Sequence, residues 1–245
     1  MKITLNADMG ESFGLYKMGD DEALIQYVDI INVACGFHAG DFMVMDQTVK
    51  LAKKYGVKVG AHPALPDLQG FGRREMKLEP EELENCMTYQ VGALAAFLKA
   101  NDMPLNHIKP HGKLYGMTAK DRTLSRAICQ VALNFNVPIV GMKNTYHETE
   151  AKDMGVEFIE EFFSDLDYDN NANLVITRVH ESVDIDKAIV KVKLALKDGK
   201  VLSTEGQLVD TGCDSICVHS DTKDAITLAK SLYSVVQEHN EKGNL

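Results

Sequence analysis

Short β-branched runs alternate with longer segments of helical period from one end of the sequence to the other, and this alternation constrains the fold more than any other feature. Strands are expected near "KITLNAD" (2–8), "DIINVACG" (29–36), "GVKVGAH" (56–62), "LNHIKPH" (105–111), "VPIVGMK" (137–143), "VEFIEEFF" (156–163) and "DSICVHSD" (214–221). Helical patterns lie between them, at 43–55, 80–101, 121–135 and 182–199. Pro80 opens the longest helix and Gly199 closes the last. A strand–helix repeat of this kind needs a mainly parallel sheet covered by helices, either closed as a barrel or open and doubly wound. The expected architecture is α/β, a distorted seven-stranded β/α barrel. With 245 residues, no linker and no sequence repeat, a single domain over 1–245 is expected.

Charge narrows the partners. The chain carries 26 basic and 36 acidic residues, a formal charge of −10, which speaks against a nucleic-acid or anionic-membrane surface. A small molecule or another protein fits better, and homo-oligomerisation stays open. The amino terminus enters a strand pattern at once, and no apolar run approaches the length of a membrane span, so the cytoplasm is the expected compartment. The five cysteines, Cys35, Cys86, Cys129, Cys213 and Cys217, are expected to be reduced thiols. The spacing of Cys213 and Cys217 is a poor match to a structural zinc site.

Polar residues fall at the ends of the apolar runs. The first strand delivers Asn6, Asp8 and then Glu11; the second, His38 and Asp41; the third, His62; the fourth, Lys109 and His111; the last, His219 and Asp221. In a parallel α/β sheet the carboxyl ends of the strands share one face, so these distant residues converge there. Glycines around them, as in "CGFHAGD" (35–41), let the backbone turn sharply near a ligand. Asp41 is equally well placed to cap the following helix, and Asp8 and Glu11 could cap a turn. Arg73, in "LQGFGRRE", suits a carboxylate or phosphate because the guanidinium fork binds two oxygens at once. Lys109 needs a partner if its ammonium is buried, with Asp8 or Glu11 as candidates. His107, His147, His180 and His239 are read as structural or surface residues.

Five blocks, "LNADMGESFG", "NVACGFHAGD", "GAHPALPDLQGFGRR", "HIKPHGKLY" and "ICVHSDT", together resemble the motifs of the LamB/YcsF family, in the family's order, from Leu5 to Thr222. The resemblance implies a seven-stranded β/α barrel related to the glycoside hydrolase/deacetylase superfamily. It further implies a part in the ATP-dependent opening of 5-oxo-L-proline (pyroglutamate) to L-glutamate, together with separate subunits B and C. It carries Asp8, Glu11, His38, Asp41, His62, Arg73, Lys109, His111, His219 and Asp221 over as site positions. The chain departs from the family pattern: Leu166 stands where an arginine is usual, Ser220 where a glycine is usual and Lys223 where a proline is usual, which bears on the choice of lactam.

The sequence has no G-x-x-x-x-G-K-[ST] loop, so ATP is expected to act through the multi-subunit complex rather than through a P-loop in this chain. For the hydrolytic half, Asp8 or His62 can activate water, His111 or Lys109 can protonate the leaving nitrogen, and Arg73 can stabilise developing negative charge. Asp8, His38 and His62 form a candidate ligand set for a divalent metal. A stand-alone metal-dependent amidohydrolase or deacetylase is the alternative function, and a noncatalytic barrel that only positions its partners is a third.

Overall fold

The computed structural model describes residues 2–175, 183–220 and 222–243. His180 and Asp221 lie outside the described residues. Among the described residues seven strands close a barrel: β1 (Thr4–Met9), β2 (Ile30–Ala34), β3 (Lys58–His62), β4 (Leu105–Ile108), β5 (Ile139–Gly141), β6 (Phe158–Phe163) and β11 (Ser215–Val218). Every neighbouring pair is parallel, and β1 closes the ring between β2 and β11, with Asn6 level with both Ile30 and Cys217. Two short antiparallel ribbons, β7 (Asp167–Tyr168) with β8 (Leu174–Val175) and β9 (Lys200–Leu202) with β10 (Leu208–Asp210), were not signalled by the sequence pattern; both lie in the connection from β6 to β11.

Helices form the outer layer: α1 (Asp21–Leu24), α2 (Phe42–Tyr55), α3 (Pro80–Ala100), α4 (Gly112–Lys120), α5 (Arg122–Phe135), α6 (Tyr146–Met154), α7 (Ile185–Asp198) and α8 (Ala225–Lys242). Their ends follow local chemistry. Asp41 accepts from the Met43 and Val44 N–H groups and starts α2, while Gly56 stops it in the left-handed conformation. Pro80 is the first residue of α3, inside a capping box formed by Glu79 and Glu82, and Gly199 closes α7. Apolar residues such as Val49, Leu94, Val131, Val192 and Leu232 are fully buried on the inner helix faces against the barrel wall.

The inside of the barrel is polar. Along β1, Leu5, Ala7 and Met9 join the apolar core, while Asn6 and Asp8 turn into the barrel, as the two-residue period of a strand requires. Asn32 on β2 donates to both Asn6 Oδ1 and Asp8 Oδ1 at 2.8 Å. Asn32 Oδ1 in turn lies 2.6 Å from His107 Nε2, and Asn6 donates to Ser215 Oγ at 2.8 Å. The ring of His107 occupies the space that a side chain at position 60 would need: a Cβ on Gly60 would come within 2.1 Å of it. Gly60 is therefore the residue that lets a histidine cross the barrel.

Candidate active site

The fourth strand ends three residues earlier than its apolar pattern suggests, and that early ending builds the site. Beyond Ile108 the chain carries Lys109, Pro110 and His111, held to β3 and the turn after it by Lys109 N–H to Ala61 O and His111 N–H to Pro63 O, both at 2.9 Å. Pro110 has no N–H to continue the ladder. Lys109 then points inward and His111 lies at the start of α4.

Lys109 is buried with its ammonium 3.0 Å from Asp8 Oδ1, 2.8 Å from Glu161 Oε1 and 3.2 Å from Cys217 Sγ. Burial, the largest single influence, pushes Lys109 toward the neutral form, but the charges of Asp8 and Glu161 outweigh it and hold its pKa well above the ordinary lysine value. Burial likewise pushes Asp8 upward, and His62 and Lys109 outweigh it, so Asp8 stays well below the usual carboxylate range. At neutral pH Lys109 is a fixed cation and Asp8 a fixed anion. Cys217, pushed well up by burial, remains a thiol.

Next to this triad stand three histidines and a glutamate. His62 Nδ1 donates to the Lys109 carbonyl at 2.8 Å, and His62 Nε2 lies 3.4 Å from Asp8 Oδ2. His111 Nε2 donates to the Phe71 carbonyl at 2.8 Å, and His111 Nδ1 lies 2.9 Å from His62 Nε2. His38 stacks on His111 with ring centres 3.6 Å apart and meets Glu11 Oε1 at 3.1 Å through Nε2. Burial, the largest influence, holds both His38 and His111 well below the ordinary histidine value, so both are neutral. One donor atom from each of Glu11, His38, His62 and His111 lies within 4.8 Å of the other three. Asp8 falls outside that group and stands instead in a second one with Cys217 and His219, so the gathered donors differ from the expected set Asp8, His38 and His62.

A cavity of about 590 Å³ opens over these groups, and Asp8, His62, Lys109, His111, Arg73 and His219 all reach its wall. His219 is held by Asp165, whose Oδ2 lies 2.9 Å from Nδ1. Burial pushes His219 down, but the charge and hydrogen bond of Asp165 outweigh it and raise its pKa to about 9. His219 is therefore an imidazolium at neutral pH. Arg73 stacks over Phe71, 5.0 Å from the ring centre, whereas its neighbour Arg74 pairs with Asp67. The loop that carries them depends on Gly72 at φ +64: a Cβ there would meet His111 at 2.8 Å and His38 at 2.9 Å.

Of the residues expected from the sequence, Asp8, Glu11, His38, His62, Arg73, Lys109, His111 and His219 come together at the mouth of the barrel. Asp41 does not: its carboxylate caps α2 and accepts from Gly14 N–H at 2.7 Å, fixing the loop that carries Glu11. The partners of Lys109 are Asp8 and Glu161; Glu11 sits instead with His38 and His111. Glu161 and Asp165 escaped the sequence reading. Glu161 stands beside Glu160 in "VEFIEEFF", and the apolar residues on both faces of this strand left no local signal to single it out. Leu166, where the resemblance expects an arginine, contributes an apolar patch to the cavity wall.

Comparison with known proteins accords with this architecture. Residues 3–243 match the LamB/YcsF family. A protein of Campylobacter jejuni subsp. doylei, named as the A subunit of 5-oxoprolinase, is 45% identical over 235 residues, covering 94% of this chain and 92% of that protein. "Lactam utilization protein lamB" of Emericella nidulans is 44% identical over 245 residues, covering 98% and 96%. The crystal structure of a lactam utilization protein from Thermus thermophilus superposes with a TM-score of 0.90 at 38% identity, covering 97% of each chain. The barrel, the strand-end blocks and these full-length matches agree: the chain belongs to the LamB/YcsF family.

Proposed function

We propose that this chain is the A subunit of an ATP-dependent 5-oxoprolinase, which opens the lactam of 5-oxo-L-proline to L-glutamate together with subunits B and C in the cytoplasm. The observation that carries this reading is the cavity at the barrel mouth, where the cations Lys109 and His219 and the histidines His62 and His111 surround a space for a small anionic substrate, in a chain whose full-length relatives bear that name. Among the described residues no helix is long and apolar enough to cross a membrane.

Lactam hydrolysis needs an electrophilic carbonyl, a water and a proton for the leaving nitrogen. Activation of the amide oxygen by ATP falls to the partner subunits. In this chain His219, an imidazolium lining the cavity and oriented by Asp165, is suited to deliver the proton to the nitrogen. Lys109 is not suited to that task, because its partners hold its proton too tightly; with Asp8 and Glu161 it fixes the electrostatic floor of the cavity. His111 and His62 line the same cavity beside the substrate space, and Arg73 can bind the substrate carboxylate.

The test is glutamate release from 5-oxoproline with ATP, comparing this chain alone, subunits B and C alone, and the three combined. Release only from the full mixture supports the proposal. Release by this chain alone, without ATP, would instead support an independent amidohydrolase.

A further inference from the structure

Two hydrogen bonds to backbone carbonyls leave His62 and His111 in conflict. A carbonyl oxygen can only accept, so His62 Nδ1, 2.8 Å from the Lys109 carbonyl, carries hydrogen. By the same rule His111 Nε2, 2.8 Å from the Phe71 carbonyl, carries hydrogen. The remaining nitrogens, His62 Nε2 and His111 Nδ1, face each other at 2.9 Å, and with one hydrogen on each ring both are acceptors. One more acceptor stands beside them, Glu11 Oε1, 3.7 Å from His111 Nδ1; Asp8, 3.4 Å from His62 Nε2, is already paired with Lys109. Lone pairs so gathered in a buried space call for a cation among them.

We propose that His62 Nε2, His111 Nδ1 and Glu11 bind a divalent transition-metal ion of the zinc class. Two imidazoles and one carboxylate are a donor set that such ions take in catalytic sites, where a further position stays open. Three other contacts fit the role. Each histidine donates its outer N–H to a backbone carbonyl, which fixes both the tautomer and the ring orientation of a metal ligand. His38 Nε2 lies 3.1 Å from Glu11 Oε1 and orients the carboxylate. His62 and His111 line the cavity, which puts the open position on the substrate side. A single shared proton between His62 and His111 is the competing arrangement, and the test below separates the two. An ion bound there polarises an amide carbonyl as a Lewis acid. The proposal deepens the lactam-opening reading and rests on the same cavity, but its test involves neither lactam nor ATP.

The full chain is stripped with a chelator, dialysed and titrated with Co²⁺, following visible d–d absorption. The wild type is expected to take up about one equivalent with the spectrum of a low-coordinate nitrogen/oxygen site. Glu11→Gln and His111→Ala are expected to abolish the spectrum, and His38→Ala to weaken binding about 10–100-fold, the usual effect of removing a group that orients a ligand. No uptake by the wild type, or uptake equal in the wild type and in variants that keep the native circular dichroism, overturns the proposal in favour of a shared proton. Should the variants fail to fold, zinc anomalous scattering from wild-type crystals decides: a peak among Glu11, His62 and His111 supports the site, and its absence there rejects it.

Discussion

The ammonium of Lys109 lies 3.0 Å from the carboxylate of Asp8, inside a barrel whose interior neither group could occupy alone. Both are almost wholly withdrawn from water, and Glu161 on β6 completes the arrangement. Breaking such a buried pair by removing one partner typically costs about 3–5 kcal/mol, because the other charge is left without compensation. Lys109→Met is therefore expected to lower stability by about that amount, read from urea unfolding. A loss under about 1 kcal/mol would show that water or a neighbour already compensates the carboxylates.

Asp165 and His219 set a pH window. His219 is raised to about 9 from an ordinary 6.5, so its contribution to stability is full below about 6.5 and is lost as pH climbs through about 9. Asp165 is lowered, burial being outweighed by His219, so its contribution is present above the ordinary 3.8 and fades as pH falls below it. Glutamate formation by the assembled enzyme is expected to fall on the alkaline side near pH 9. Asp165→Asn should move that limb toward the ordinary histidine value; an unmoved limb in a folded variant would assign it to another group.

Gly72 is expected to tolerate no side chain. Its φ of +64 costs a non-glycine residue roughly 1–2 kcal/mol. A methyl group there would also press on His111 and His38. Gly72→Ala should lower the melting temperature modestly and cut turnover far more, since the stacked rings must shift. Turnover close to wild type would mean that the position of those rings is not critical.

Arg73 is expected to act on binding. It lines the cavity and rests on the ring of Phe71. Arg73→Ala should raise KM for 5-oxoproline with a smaller change in kcat, the signature of lost uniform binding. The reverse split would move Arg73 into transition-state stabilisation.

The barrel was legible because strand period and helix period alternate without interruption, and because caps such as Asp41 and Pro80 lie at helix starts. Convergence of the strand-end residues followed from parallel topology alone. What could not be read was which polar residue meets which. Glu161 on β6 pairs with Lys109 at the end of β4, past the intervening β5, a contact set by strand tilt and register that no local pattern encodes. The role of His219 depends in the same way on Asp165, 54 positions away. Asp41 shows the opposite case: its local capping chemistry was visible, and capping is what its carboxylate does.

The central claim is that chemistry takes place at the mouth of this barrel. Its most direct test is the rate of glutamate formation from 5-oxoproline and ATP by subunits B and C assembled with either the wild-type chain or His219→Asn, with assembly verified by size-exclusion chromatography. Loss of a proton donor is expected to slow glutamate formation by about 10²–10⁴-fold while the complex stays intact. An intact complex that forms glutamate at the wild-type rate would contradict the account and leave this barrel with a positioning role alone.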